Sequence, residues 1–499
     1  MSNINASSLR QFLWPIYGIE HKKFVPMTCM IALILFDYTV LRNLKDTFII
    51  SETGGSETTT FLKVWCVIPA AILFFIAYSK LSNSLSKQNL FYTTVMSFLI
   101  FFLVFTLLYP IHETLMPVAS VNWLKNTLPE SFRYFILIYQ YWYFSIFYIM
   151  AELWGSAIAA LLFWQFANSI VKVVEAKRFY AHFYLLANVA TAFAGLITKY
   201  FSALGERTNN FTISVNYLMG LVLIFGLIVM GLYWHMDKHI VPDPRFVDDS
   251  IKPKKKKLKL SLTDSVKYIF SSKYLGLIAV LVIAYGISIN LVEVAWKHQA
   301  HISYPTKSSY SNFMGTVTTI IGLSTFFVIL FGGWLIRKMG WLVAALTTPI
   351  ILGATGIIFF GFVIFEKELL PLTVMLGLTP ALFAVIIGGI QNVLSKSTKY
   401  ALFDPTKEMS YIPLDEESKI KGKAAVDVVG GRLGKAGGAV IQSTLLMFIP
   451  MSQLIPFSAF FVTLIVAIWI VAVIWLNRLF IEKGGQEAWN EKMQIKKED

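Results

Sequence analysis

The chain has little charge for its length. Of 499 residues only 14% are Asp, Glu, Lys or Arg, while 56% are hydrophobic. Soluble domains carry about 25% charged and 45–50% apolar residues, so a soluble fold is excluded. It has two cysteines, Cys29 and Cys66, both in apolar stretches. They form no disulfide framework and read as small buried hydrophobes. Seven histidines lie scattered, with no HExxH and no GxSxG, so neither a metal site nor a nucleophile is called for. A P-loop also fails, because Gly434-Lys435 is preceded by Val429 where glycine is required and followed by Ala436 where Ser or Thr is required. The first 24 residues lack the basic start, apolar core and small-residue cleavage site of a signal peptide, so the first span is expected to insert uncleaved. No cofactor, nucleic-acid partner or protein partner is expected.

What is present are apolar runs near the ~20 residues needed to cross a bilayer. They fall near 25–44, 61–83, 88–110, 134–170, 179–203, 212–236, 273–295, 312–337, 341–365, 369–394, 424–449 and 453–478. The fourth is too long for one simple span and predicts an interfacial or kinked entry around Tyr139–Tyr143. Six spans precede and six follow a loop at 237–272 that holds a dense lysine run, Lys254 to Lys257 among it. Net charge is +14, and lysines held in cytoplasmic loops account for it better than nucleic acid does. Lys80, Lys87, Lys172, Lys177, Arg178, Arg337, Lys338 and the cluster from Lys396 to Lys423 fall on the loop's side; the opposite loop 51–60 has Glu52 and Glu57 and no cation. Lys125, Arg133, Arg207 and Lys307 are exceptions. The expected fold is therefore an all-α integral membrane protein of about twelve transmembrane helices in two six-helix halves, major-facilitator-like. Its parts are a cytoplasmic tail 1–24, a half 25–236, the basic cytoplasmic loop 237–272, a half 273–478 and a cytoplasmic tail 479–499.

Ionisable groups inside apolar spans each cost roughly 2.5–3.5 kcal/mol at the bilayer centre, so they point to a site. Arg42, Lys45 and Asp46 share one helix face, either lining a cavity or snorkelling to the membrane surface. Glu152 is too short to snorkel from YIMAELWGSAIAALLFW and reads as a cavity residue, with Gln165 and Asn168 as hydrogen-bonding candidates further along. Glu293, with Asn290 one turn before and Lys297 at i+4, is either functional or a surface ion pair. Arg432 and Lys435 lie among Gly430, Gly431, Gly434, Gly437 and Gly438, where a thin helix face brings an anion close to the backbone; the glycines also serve close packing. A phosphate charge 4 Å from a lysine gains about 4 kcal/mol at an effective dielectric near 20, more than the lysine's insertion cost. The cargo expected is a polyanion. Trp142, Trp154, Phe163, Trp164, Phe166 and Trp296 lie near these charges and either stack on a base or serve packing and interfacial belts.

The segments LRNLKD, AELWGS, LFWQFAN, EAKRFY, SKYLGLIAVLVIAYGISINLVEVAWK, IQNVLSKSTKYALFDPTKEM, YIPLD and GGRLGKAGGAVIQS closely resemble the ATP/ADP translocases of obligate intracellular bacteria and plastids, of the rickettsial and chlamydial type. The likeness covers essentially the whole chain. It implies a twelve-span antiporter in a bacterial inner membrane that exchanges host ATP for bacterial ADP without hydrolysis, both termini cytoplasmic. The family's functional charges fall on Lys45, Glu152, Glu293 and Lys435. With Arg42, Asn290 and Arg432 these make the expected substrate-binding set. Guanine or pyrimidine nucleotides, or a proton-coupled organic anion, are the alternative cargoes.

Overall fold

A computed structural model describes residues 16–243, 245–246, 272–426 and 430–485; a few side chains within these, Arg432 and Lys435 among them, lie outside the description. The lysine run of the central loop lies outside it as well.

Among the described residues, eleven helices are long and apolar enough to cross a membrane: α1 Gly18–Thr53, α2 Glu57–Ser84, α3 Lys87–Leu115, α4 Trp142–Ile170, α5 Arg178–Arg207, α6 Phe211–His239, α7 Lys273–Ser303, α8 Lys307–Gly332, α9 Leu335–Ile364, α10 Pro380–Met409 and α12 Met451–Glu482. The expected span 424–449 corresponds to a shorter helix, α11, Gly431–Leu446. Residues 427–429, within that expected span, lie outside the described residues. No strand occurs among the described residues. The kinked entry to α4 is found as expected: a helix Arg133–Gln140 stops at Tyr141, whose ψ of 40° breaks the helical run, and the chain restarts at Trp142.

Two apolar cores follow the two halves. One gathers Phe24, Phe48, Phe102, Phe147 and Trp154 from residues before the central loop; the other gathers Trp296, Trp341, Leu352 and Trp469 from residues after it. The second also takes in Ile50, Phe61 and Tyr134 from the first half. Ile50 and Phe61 flank the tight α1–α2 turn, with Tyr134 stacked on Phe61; there Gly54 adopts φ 73° and closes α1 with its N–H on the Ile50 carbonyl. The halves are therefore sealed together at this end. Large apolar side chains such as Leu73 and Phe460 point outward on α2 and α12. In water such patches would drive association; against acyl chains they cost nothing. The expectation that both cysteines are buried is corrected here: Cys29 is exposed, and Cys66 is half-buried against the first of the two cores.

Close backbone approach joins the halves near their middle. A Cβ on Gly195 of α5 would meet the Thr319 nitrogen of α8 at 2.5 Å, and one on Gly315 of α8 would meet the Lys199 nitrogen of α5 at 2.6 Å. Only glycine fits there, the small-residue contact common between membrane helices.

Candidate functional site

The charges that stand out in the sequence converge where α1 and α4 meet α7 and α10. Glu293 on α7 is the hub. Its Oε1 lies 3.1 Å from Arg42 on α1, 3.1 Å from Lys297 one turn along α7, and 3.7 Å from Lys396 on α10. Asp46 on α1 lies 2.7 Å from both Lys45 and Lys297. Lys45 also lies 3.0 Å from Glu152 and 3.9 Å from the centre of the Tyr148 ring. Lys63 on α2 reaches Asn290 at 3.5 Å. Three of these links, Arg42–Glu293, Asp46–Lys297 and Lys63–Asn290, join the two halves.

The cluster has two layers. Lys45, Asp46 and Lys297 are almost fully buried and satisfy one another. Arg42 and Glu152 are accessible, their side chains 38% and 27% exposed, and Lys396 and Lys63 are half-buried. The set counts five cations against three carboxylates. A buried array of this kind is costly unless every charge is paired, and an excess of positive charge in it favours an anionic guest.

Three π-helical segments border the cluster: Leu62–Val67 carries Lys63, Gly155–Leu162 follows Glu152, and Lys399–Phe403 follows Lys396. Such wide turns are rare and gather at functional sites, because they re-aim side chains without ending the helix. At Gly155 the ring of Tyr38 packs so closely that a Cβ would lie 2.4 Å from it.

Of the residues expected from the sequence, Arg42, Lys45, Glu152, Asn290 and Glu293 come together. The helix bearing Arg432 and Lys435 crosses α7 where a Cβ on Gly286 would meet the Gly434 carbonyl carbon at 2.5 Å. Several expectations need correction. Lys45 does not line open space; it is 2% exposed and held from below by Asp46. The Glu293–Lys297 pair exists but is buried, not on the surface. Lys396 sits beside Glu293 and not in a loop, because α10 runs on as far as Met409. Gln165 and Asn168 bond Tyr78 and Tyr180, each at 2.7 Å, and not Glu152. Trp154, Trp296 and Phe163 are fully buried packing groups. Lys63 and Lys396 were missed for one reason: each sits within a few residues of a span's end, where a lysine ordinarily snorkels.

At the sealed end, further contacts join the halves. Glu52 pairs with Lys307, Glu57 lies 3.4 Å from His298, and the Ser56 hydroxyl donates to the Val294 carbonyl at 2.7 Å. α11 packs against the Glu57–Val67 part of α2.

The family model described as TLC ATP/ADP transporter matches residues 1–480. This chain belongs to that family. The transporter is similar to ADP,ATP carrier protein 1 of Chlamydia pneumoniae, 46% identical over 98% of this chain and 97% of the relative. It is 43% identical to ADP,ATP carrier protein 1 of Rickettsia prowazekii over 95% and 96% of the two chains, and 42% identical to a chloroplastic ADP,ATP carrier of Arabidopsis thaliana over 96% and 78%. Among solved structures the transporter's fold resembles a bacterial homologue of ferroportin in an inward-facing state, at TM-score 0.58 and 11% identity over 90% of this chain and 98% of that one. A D-xylose–proton symporter is similar at TM-score 0.55 and 12% identity, over 91% and 97%. The protein is a multi-pass membrane carrier, not an enzyme, and it shares the fold of those solved transporters.

Proposed function

We propose that this carrier exchanges ATP for ADP across a bacterial inner membrane, binding the phosphates at the cluster centred on Glu293 and hydrolysing neither nucleotide. The observation that carries the reading is the cross-half ion pair Arg42–Glu293. For the sealed end to open, that pair must part, which leaves the accessible Arg42 without its carboxylate while Glu293 keeps Lys297 and Lys396 beside it. A phosphate arriving at Arg42 replaces the lost carboxylate. Reorientation is then fast when a nucleotide is bound and slow when none is, and transport becomes exchange.

The substrate-binding set is Arg42, Lys45, Glu152, Asn290, Glu293, Arg432 and Lys435, with Lys45 acting from beneath by fixing Glu152. The two rigid halves correspond to 25–236 and 273–478, rocking about the α5–α8 crossing. The basic loop and both termini are cytoplasmic, so the sealed end is the periplasmic one and the opposite end faces the cytoplasm. The lysine excess on the loop side supports this orientation.

The test is competition. Purified protein in vesicles preloaded with ADP takes up labelled ATP, and unlabelled ATP and ADP suppress that uptake far better than guanine or pyrimidine nucleotides. Stronger suppression by GTP or CTP, or uptake abolished by a protonophore and indifferent to internal ADP, overturns the reading.

A further inference from the structure

Beyond the cations read from the sequence, the cluster holds Lys63 and Lys396. No carboxylate among the described residues lies within 4 Å of Lys63, and Lys396 reaches only an oxygen already shared by Arg42 and Lys297. These two are the least neutralised cations of the set, and both are half-buried, not sealed like Lys45 and Lys297.

An aromatic layer lies beside this cationic one. Tyr38 precedes Arg42 by four residues on α1, and Tyr400 follows Lys396 by four on α10. Residues four apart share a helix face, so each tyrosine sits one turn, about 5.4 Å, from its cation. α1 runs toward the sealed end and α10 away from it, so both tyrosines lie on the side of the cations away from the sealed end. Tyr400 is 47% exposed and shares the helix face of Lys396, whose Nζ reaches Glu293, so it faces the cleft between the halves. Lys399 lies 4.3 Å from the centre of its ring, and Tyr38 is braced against Gly155.

We propose that the nucleotide binds in a single orientation, its terminal phosphates on Arg42, Lys63 and Lys396 and its base against Tyr38 and Tyr400, one helical turn farther from the sealed end. The ribose bridges the two layers. Phosphates thus meet the cross-half pair that must part, while the base stays on aromatic faces. This rests on the ATP/ADP reading above.

The experiment uses ADP-loaded vesicles and two probes, labelled ATP and unlabelled inorganic tripolyphosphate as inhibitor. Lys63→Ala and Lys396→Ala are expected to raise KM for ATP about tenfold or more, to weaken tripolyphosphate inhibition by a similar factor, and to affect ATP more than ADP. Tyr400→Ala is expected to raise KM for ATP about fivefold or more with tripolyphosphate inhibition unchanged, and Tyr400→Trp to restore it. Lys396→Arg restores partial affinity, which separates loss of binding from misfolding. Lysine variants that leave tripolyphosphate inhibition at the wild-type level, or a Tyr400→Ala variant that weakens ATP and tripolyphosphate equally, overturn the orientation. Absence of adenine-nucleotide exchange in the unaltered protein would instead overturn the function it rests on.

Discussion

Lys297 and Glu293 sit 3.1 Å apart yet do different work. Lys297 is sealed between Asp46 and Glu293, so removing it leaves two carboxylates buried with too little positive charge. Lys297→Ala is expected to destabilise the carrier by about 3–5 kcal/mol, read as a lowered melting temperature in detergent, and the pair Lys297→Met with Asp46→Leu to recover much of it. An unchanged melting temperature for the single variant would show that Lys297 is solvated. Glu293→Gln instead frees Arg42 from its cross-half latch while keeping the side chain's shape. Its expected phenotype is a lower KM for nucleotide together with leak of internal ADP into nucleotide-free medium, measured as unstimulated efflux. Glu293 was legible in the sequence because an acid among INLVEVAWK has no cheap explanation. Lys63 was not, because a lysine two residues inside a span looks like an interfacial anchor until the opposite helix is in place.

The helices themselves were readable from apolar run length, and the kink before α4 from a run too long for one crossing. The π-helical turns were not, since no residue pattern in LKVWCV or GSAIAALL marks an extra residue in the turn. Helix partners were equally hidden: Gly195 and Gly315 look like any glycines until α5 and α8 meet. At that crossing, Gly315→Leu is expected to force the helices apart by overpacking, costing about 1–3 kcal/mol or more and abolishing exchange, because the side chain would occupy the space of the Lys199 backbone. Gly361, with nothing within 4 Å of a built Cβ, is the control, and Gly361→Ala is expected to exchange normally. Equal effects of the two substitutions would deny the crossing its special role.

For the whole molecule the claim is that two halves are latched at one end by charge and released by an anion. The latch runs from Arg42–Glu293 through Asp46–Lys297 to Glu57–His298 and Glu52–Lys307. With Cys29 and Cys66 replaced by alanine, Glu57→Cys and His298→Cys joined by a short thiol-reactive cross-linker are expected to stop exchange, and reversal of the link to restore it. The two-half layout was visible in the spacing of spans around a lysine-rich loop, but not which end is closed, because closure is a matter of contacts between residues some 250 positions apart along the chain. The most direct measurement is efflux of labelled ADP from vesicles containing the unaltered protein, diluted into medium with or without ATP. The account expects ADP to be retained in nucleotide-free medium and released promptly when ATP is present. Equal release in both would mean that the latch opens without an anion, and would contradict it.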